Sequence, residues 1–187
     1  MASGSHKLHM LVKMIVESSL PEGCEARFDS ACNEKESDSF KQHLPLFNSD
    51  IKANENVFCN VDILILKNGM ISVIMEIEES GILPTKICGK FLTSALSSEH
   101  IHDLDDNEPV KFSDNILFIQ VLCHTNTSQE EKSKLRQKWG NLEESINAIL
   151  PLKGSSVKKY RLLYGRLDDF AGEKGKELRN AVRNHLR

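Results

Sequence analysis

The chain contains no apolar run long enough to span a bilayer, and nothing at its start resembles a signal peptide. A soluble, intracellular protein, cytoplasmic in location, is therefore expected. Its cysteines, Cys24, Cys32, Cys59, Cys88 and Cys123, are odd in number, scattered, and include no CxxC pair. Neither a disulfide framework nor a zinc knuckle is suggested by that spacing, and buried or idle thiols are expected. Internal repeats and low-complexity tracts are missing too. The stretch PTKICGKF fails as a phosphate-binding loop. Pro84 stands where G-x-x-x-x-G-K-[ST] needs its first glycine, and Phe91 where it needs a hydroxyl. No Ser-His-Asp or Cys-His nucleophilic arrangement can be picked out, and Cys123-His124 reads as the end of a core strand followed by a loop.

What is present fits one domain of ordinary size, since 187 residues bury a core without staples. The polar opening MASGSHKLH (residues 1–9) resembles an expression leader, which sets His6 and His9 aside and leaves residues 10–187 as the domain. The formal net charge of -3 is unevenly spread. Residues 153–187 hold ten Lys/Arg against four Asp/Glu, leaving 14 against 23 elsewhere. The acidic part is no general polyanion binder, whereas the C-terminal segment suits contact with phosphates.

Periodicity predicts a helix over residues 10–19 with Leu11, Met14, Ile15 and Ser18 on one face, ended by LPEG. A short strand near Ala26 to Asp29 and a helical turn near Ser37 to His43 are expected next. Two leucine-rich and β-branched runs, Val61 to Leu66 and Ile71 to Glu78, flank Lys67-Asn68-Gly69, a hairpin signal. Being apolar on both faces, that hairpin belongs inside a sheet covered by helices. Pro84 suits the first turn of a helix to about Ser98, with Ile87, Phe91, Leu92 and Ala95 toward the sheet. A strand over 115–123, a helix over 128–149 carrying Leu135, Trp139, Leu142, Ile146 and Ile149, a strand over 158–165 and a helix from Gly172 to His185 complete the reading. The predicted class is α/β, a mixed central β-sheet flanked by helices.

Asp62, Glu76 and Glu78 interrupt the most apolar stretch of the chain, NVDILILKNGMISVIMEIEES (60–80). Glu76 and Glu78, two apart on a strand, leave the same face. Asp62 joins them or not according to the turn. A two-residue Asn-Gly loop sets Asp62 opposite Met75 and points it away. A three-residue loop closing on Gly69 sets it opposite Ile74, diagonal to Glu76, and the sequence permits either. A carboxylate cluster therefore predicts the longer loop or a bulge. Neighbouring buried carboxylates resist desolvation and raise one another's pKa, so a compensating charge is needed. Mg²⁺, an oxygen-seeking ion commonly held by one or two carboxylates plus a substrate phosphate, would supply it. It would also polarise a phosphodiester and lower the pKa of water.

An Asp early in one strand, a tight hairpin, then Glu-x-Glu at the end of the next strand and a helix resembles the PD-(D/E)XK nuclease superfamily, in particular its type II restriction-endonuclease-like branch. The likeness spans mainly residues 61–98. It departs from the motif in having Asn60-Val61 where proline is usual, and Glu78 where lysine is usual, although some restriction enzymes of the superfamily carry Glu there. The resemblance implies a restriction-endonuclease-like core with Asp62 and Glu76 as ligands of Mg²⁺, Mn²⁺ being a substitute. Glu78 would then be a base or second ligand. It further implies that Lys86 or Lys90, four apart on the following helix, replaces the missing lysine, and that Glu17 on the first helix adds a carboxylate. A homodimer would cut both strands of double-stranded DNA.

Lys176, Arg179, Arg183 and Arg187 make a basic stripe on the last helix, suited equally to water and to DNA phosphates, with Lys158, Lys159 and Arg161 as further candidates. His100 and His102 beside Asp103, Asp105 and Asp106 read as an ordinary polar loop rather than a metal site. The expected function is a Mg²⁺-dependent DNA endonuclease. The alternative is a nuclease-like module without chemistry that binds nucleic acid or a protein partner.

Overall fold

A computed structural model describes residues 6–33, 43–102, 105–124 and 129–187. Helix α1 (Lys7–Glu17) is followed by β1 (Cys24–Phe28), β2 (Leu44–Phe47), β3 (Val57–Val61), β4 (Ile63–Lys67), β5 (Met70–Glu78), α2 (Pro84–Ala95), β6 (Glu99–His100) and β7 (Val110–Cys123). Then come α3 (Gln129–Ile149), β8 (Val157–Gly165), α4 (Leu167–Ala171) and α5 (Glu173–Leu186). The expected helical turn at residues 37–43 lies, except for His43, outside the described residues.

The described strands form one eight-stranded mixed sheet in the order β1-β4-β5-β7-β6-β2-β3, with β8 also on β7. The β5–β7 and β7–β8 pairs are parallel, and the others are antiparallel. Parallel neighbours need a crossover element, and α2 and α3 supply the two crossovers. Strand β7 has 14 residues, enough to pair with β6 at its start and with β8 further on.

Alternation along β4 and β5 sends Ile63, Ile65, Val73 and Met75 to one face, where α1, α4 and α5 cover them with Leu8, Val12, Phe170, Leu178 and Val182. Leu64, Leu66 and Ile74 point to the other face, covered by α2 and α3 with Ile87, Phe91, Trp139 and Ile146. Each such side chain, fully withdrawn from water, contributes about 1.5–3 kcal/mol. The protein is thus α/β with a mixed sheet flanked by helices, as the sequence predicts. Among the described residues, no helix is long and apolar enough to cross a membrane. All five cysteines are free thiols.

Several details differ from expectation. Helix α1 starts at Lys7 and buries Leu8, His9, Val12, Ile15 and Val16, while Met14 is 65% exposed. Residues 7–9, set aside with the leader, are therefore part of the fold. The helix turns its Leu8-Val12 stripe inward because that stripe has the sheet beneath it. Helix α2 ends at Ala95, and Leu92 faces water while Ser94 is buried in its place. Ile149 is likewise exposed at the end of α3. Strands β2, β3 and β6 are additional. They are short, at four, five and two residues, so their sequence is too brief to show period-two alternation.

Candidate functional site

Asp62 stands at the point where the chain leaves one part of the sheet for another. Before it, β3 pairs with β2; after it, β4 pairs with β1 and β5. Its main chain is held on both sides, the N–H donating to Met75 O at 3.2 Å and the C=O accepting from Asp29 N–H at 2.9 Å. Because β3 turns away here, the Ile77 N–H of β5 has no strand neighbour on that side. The Asp62 carboxylate substitutes for one, its Oδ2 accepting from Ile77 N–H at 2.6 Å.

The hairpin loop is the two-residue form. Lys67 pairs with Met70, and Asn68 and Gly69 both take positive φ, 53° and 76°. That loop alone would oppose Asp62 to Met75. The pairing slips, however: Leu66 faces Ile71 but Ile65 faces Val73, so Ser72 is an extra residue in β5. From there the register runs Leu64–Ile74 and Ile63–Met75, and Asp62, the residue before Ile63, comes close enough to Glu76 for its charge to act on that carboxyl. The bulge, rather than a longer loop, brings the two carboxylates together.

Glu76 is fully buried and Glu78 is 5% exposed, both on the face covered by α2. Proline at the first turn of α2 starts the helix so that Lys86 and Lys90 overhang them. Lys90 Nζ lies 2.5 Å from Glu76 Oε2 and 2.8 Å from Glu78 Oε1, and Lys86 Nζ lies 2.5 Å from Glu78 Oε2. Glu76 Oε1 is buried without a hydrogen-bond partner. Its neighbour on β7, Gln120, is engaged elsewhere, donating to Ile87 O and accepting from Tyr160 O–H. Burial, followed by the charge of Asp62, pushes Glu76 up to about 8 even with Lys90 against it. Lys90 is held above its ordinary value, because the adjacent glutamates outweigh its burial. Asp62 goes the other way: burial opposes its charge, but the nearby His9 and the hydrogen bond from Ile77 N–H keep it below the usual range.

The opposite flank of Asp62 holds residues that sequence reasoning missed. His9 of α1, 6% exposed, turns Nε2 toward Asp62 Oδ1 at 3.7 Å and Nδ1 toward Glu79 Oε2 at 3.3 Å. Glu79 Oε1 accepts from Leu8 N–H at 2.8 Å, and His6 Nδ1 lies 3.5 Å from Glu79 Oε2. The spacing His6-x-x-His9 is their one local mark, and it lies in the segment that resembles a leader.

Of the other predicted residues, Glu17 is not at the site; its side chain is half exposed and lies 4.0 Å from Lys13. One helix turn after another separates it from His9, which takes the place facing Asp62. Asp62, Glu76 and Glu78 do not form a three-ligand group either, since the lysines draw Glu78 aside. Arg183 is committed to the carbonyls of Ser18 and Ser19 at the end of α1, and Arg161 to Glu143 at 3.3 Å. Lys158 donates to Ser155 O but is exposed, as are Lys159 and Lys176. Lys176 and Arg179 line a groove with Leu11 and Met14, between α1 and α5. His100 is buried on Pro45 O and Asp105 is paired twice with Arg27, so that loop is no ligand set among the described residues.

No protein-family model, no curated protein and no solved structure matches this chain.

Proposed function

We propose that the chain is a divalent-metal-dependent endonuclease of double-stranded DNA with a restriction-endonuclease-like core. The observation that carries this reading is the nearness of Asp62, just before β4, to Glu76 on β5, with Glu76 Oε1 buried and unpartnered. The residues fit a small hard cation: two carboxylates of opposite pKa tendency, one holding a free buried oxygen, in a place where negative charge is under-compensated. Asp62 and Glu76 would hold Mg²⁺ or Mn²⁺, which supplies Lewis acidity toward a phosphodiester and toward water. Lys90 and Lys86 keep Glu78 oriented and add positive charge where the phosphate would carry negative charge. Glu78 is the group suited to take a proton from the attacking water. Lys176, Arg179, Lys158 and Lys159 are the exposed or half-exposed cations available to DNA phosphates, and a second copy of the chain would serve the second strand.

A specific observation favours the second reading, a binding module without chemistry. Lys90 already bridges Glu76 and Glu78, supplying part of the charge that a cation would supply. Cleavage of supercoiled plasmid with Mg²⁺ or Mn²⁺ separates the two. Metal-dependent nicking by the wild type, lost in Glu76→Ala, supports the nuclease. Salt-sensitive DNA binding without cleavage under any of these conditions would transfer the assignment to the module.

A further inference from the structure

We infer that His6, His9 and Glu79 form a binding site for a borderline divalent ion of the Zn²⁺ or Co²⁺ class, on the α1 flank of Asp62 and distinct from the Asp62–Glu76 pair. The three side chains offer one donor atom each, all within 4.8 Å of one another, and among the described residues no other group of three does so. The spacings of the two histidines from Glu79 are those of a coordination shell. Four donors around a tetrahedral ion at ~2.0–2.1 Å stand about 3.4 Å apart. Here His9 Nδ1 and Glu79 Oε2 are 3.3 Å apart, and His6 Nδ1 and Glu79 Oε2 are 3.5 Å apart. The two imidazoles meet edge to face with centroids at 5.1 Å.

His9 gives the independent indication. It is 6% exposed, and its Nδ1, though near Glu79, is a buried nitrogen with no hydrogen-bond partner. A buried nitrogen aimed into a cluster of donors without a bond of its own is under-satisfied, and a metal would satisfy it. The outer contacts are those a metal-bound histidine and carboxylate commonly have. Asp62 faces the far nitrogen of His9 at 3.7 Å, which favours the tautomer whose Nδ1 carries the lone pair. Leu8 N–H fixes Glu79 Oε1 at 2.8 Å and leaves Oε2 for the ion.

Ligand chemistry selects the ion. Two imidazole nitrogens and one carboxylate oxygen suit Zn²⁺ or Co²⁺ and leave a coordination position for water, whereas an all-oxygen pair suits Mg²⁺. His6 is largely exposed, so an ion enters from solvent. Once bound, it ties the first turn of α1 to the end of β5, next to Asp62.

The test is a Co²⁺ titration of the chelator-treated full chain, followed by visible d–d absorption. With excess Mg²⁺ present to occupy the Asp62–Glu76 pair, the wild type is expected to take up one equivalent that Zn²⁺ displaces. His6→Ala and Glu79→Ala should each weaken uptake about tenfold or more, and Glu76→Ala should leave it unchanged. Circular dichroism checks that each variant is folded. His6→Ala alters an exposed side chain and so reports even if Glu79→Ala unfolds. Absence of a Co²⁺ signal, a signal that survives His6→Ala in full, or one lost with Glu76→Ala would each overturn the assignment. Because the readout is spectroscopic, it stands or falls separately from DNA cleavage.

Discussion

Lys90 Nζ lies within 2.8 Å of both glutamates of β5, joining Glu76 Oε2 and Glu78 Oε1 through one ammonium. The two ends of this bridge are unequal. The Lys90 side chain is 30% exposed and the Glu76 side chain 1%. Removing the lysine strands a buried carboxylate, and removing the carboxylate leaves an amine that still has Glu78 and water. Lys90→Met should therefore cost about 3 kcal/mol at pH 9, where Glu76 is ionised, and Glu76→Gln less than about 1 kcal/mol or even a gain, since it also relieves repulsion by Asp62. Lys86→Ala, removing a half-exposed partner of Glu78 alone, should cost under about 1 kcal/mol. Urea unfolding at pH 9 measures all three. Equal losses in Lys90→Met and Glu76→Gln would contradict the asymmetry.

The same burial makes stability depend on pH in a definite direction. Glu76 is pushed from 4.5 up to about 8, so between those values the folded state holds a proton that the unfolded state has lost. Its contribution is fully present below pH 4.5 and is lost as the pH rises through 8. Each pKa unit corresponds to about 1.4 kcal/mol. The unfolding free energy of the wild type should thus decline relative to Glu76→Gln from pH 5 to pH 8. A flat difference across that range would show that Lys90 fully offsets the burial.

The Ser72 bulge that aligns Asp62 with Glu76 is held from outside the hairpin. His185, near the end of α5, donates from Nε2 to Ser72 O at 3.1 Å, and Lys67 donates to Leu186 O at 2.6 Å. Ser72 is 7% exposed, so its carbonyl has no ready access to water if the histidine goes. His185→Leu should cost about 1–3 kcal/mol. It should also impair any activity that depends on Asp62 and Glu76 more than a surface change of equal stability cost. Amide exchange at Ile71 to Val73, faster in the variant than at β7, is the direct measurement.

The central architecture is legible in the sequence because long two-sided apolar runs such as Ile71–Ile77 admit few alternatives. The turn at Asn68-Gly69 is legible for the same local reason. The register is not: whether Asp62 meets Glu76 depends on an extra residue at Ser72, whose only marker is a contact with His185, 113 positions away. Lys86 and Lys90 are found by helical spacing from Pro84, while their pairing with the two glutamates follows from how α2 docks. His9 is missed because a polar opening segment carries no periodicity of its own. Its burial comes from the sheet beneath it and from Asp62 and Glu79, which no local pattern announces. Leu92 and Met14 err in the opposite sense: each lies at apolar spacing, yet among the described residues no layer covers that side of its helix.

At the far end of the sheet a buried histidine sets the acid limit. His100 is fully buried, donates from Nδ1 to Pro45 O at 2.8 Å, and keeps Nε2 buried without a partner. Protonating Nε2 would place a charge in an apolar site near Arg27, and burial chiefly, with that neighbour, pushes the imidazole down to about 4. Between pH 6.5 and 4 the unfolded chain therefore binds a proton that the folded chain refuses, and stability falls as the pH falls through this window. The loss is about 3.5 kcal/mol at most, from about 1.4 kcal/mol per pKa unit. His100→Asn keeps a donor near the Nδ1 position and cannot titrate. It should be less stable than the wild type at pH 7, because it packs less volume, and the gap should narrow toward pH 4. Parallel unfolding curves for the two proteins over that range would mean that His100 accepts its proton in place, with the strand pair β2–β6 opening to admit water.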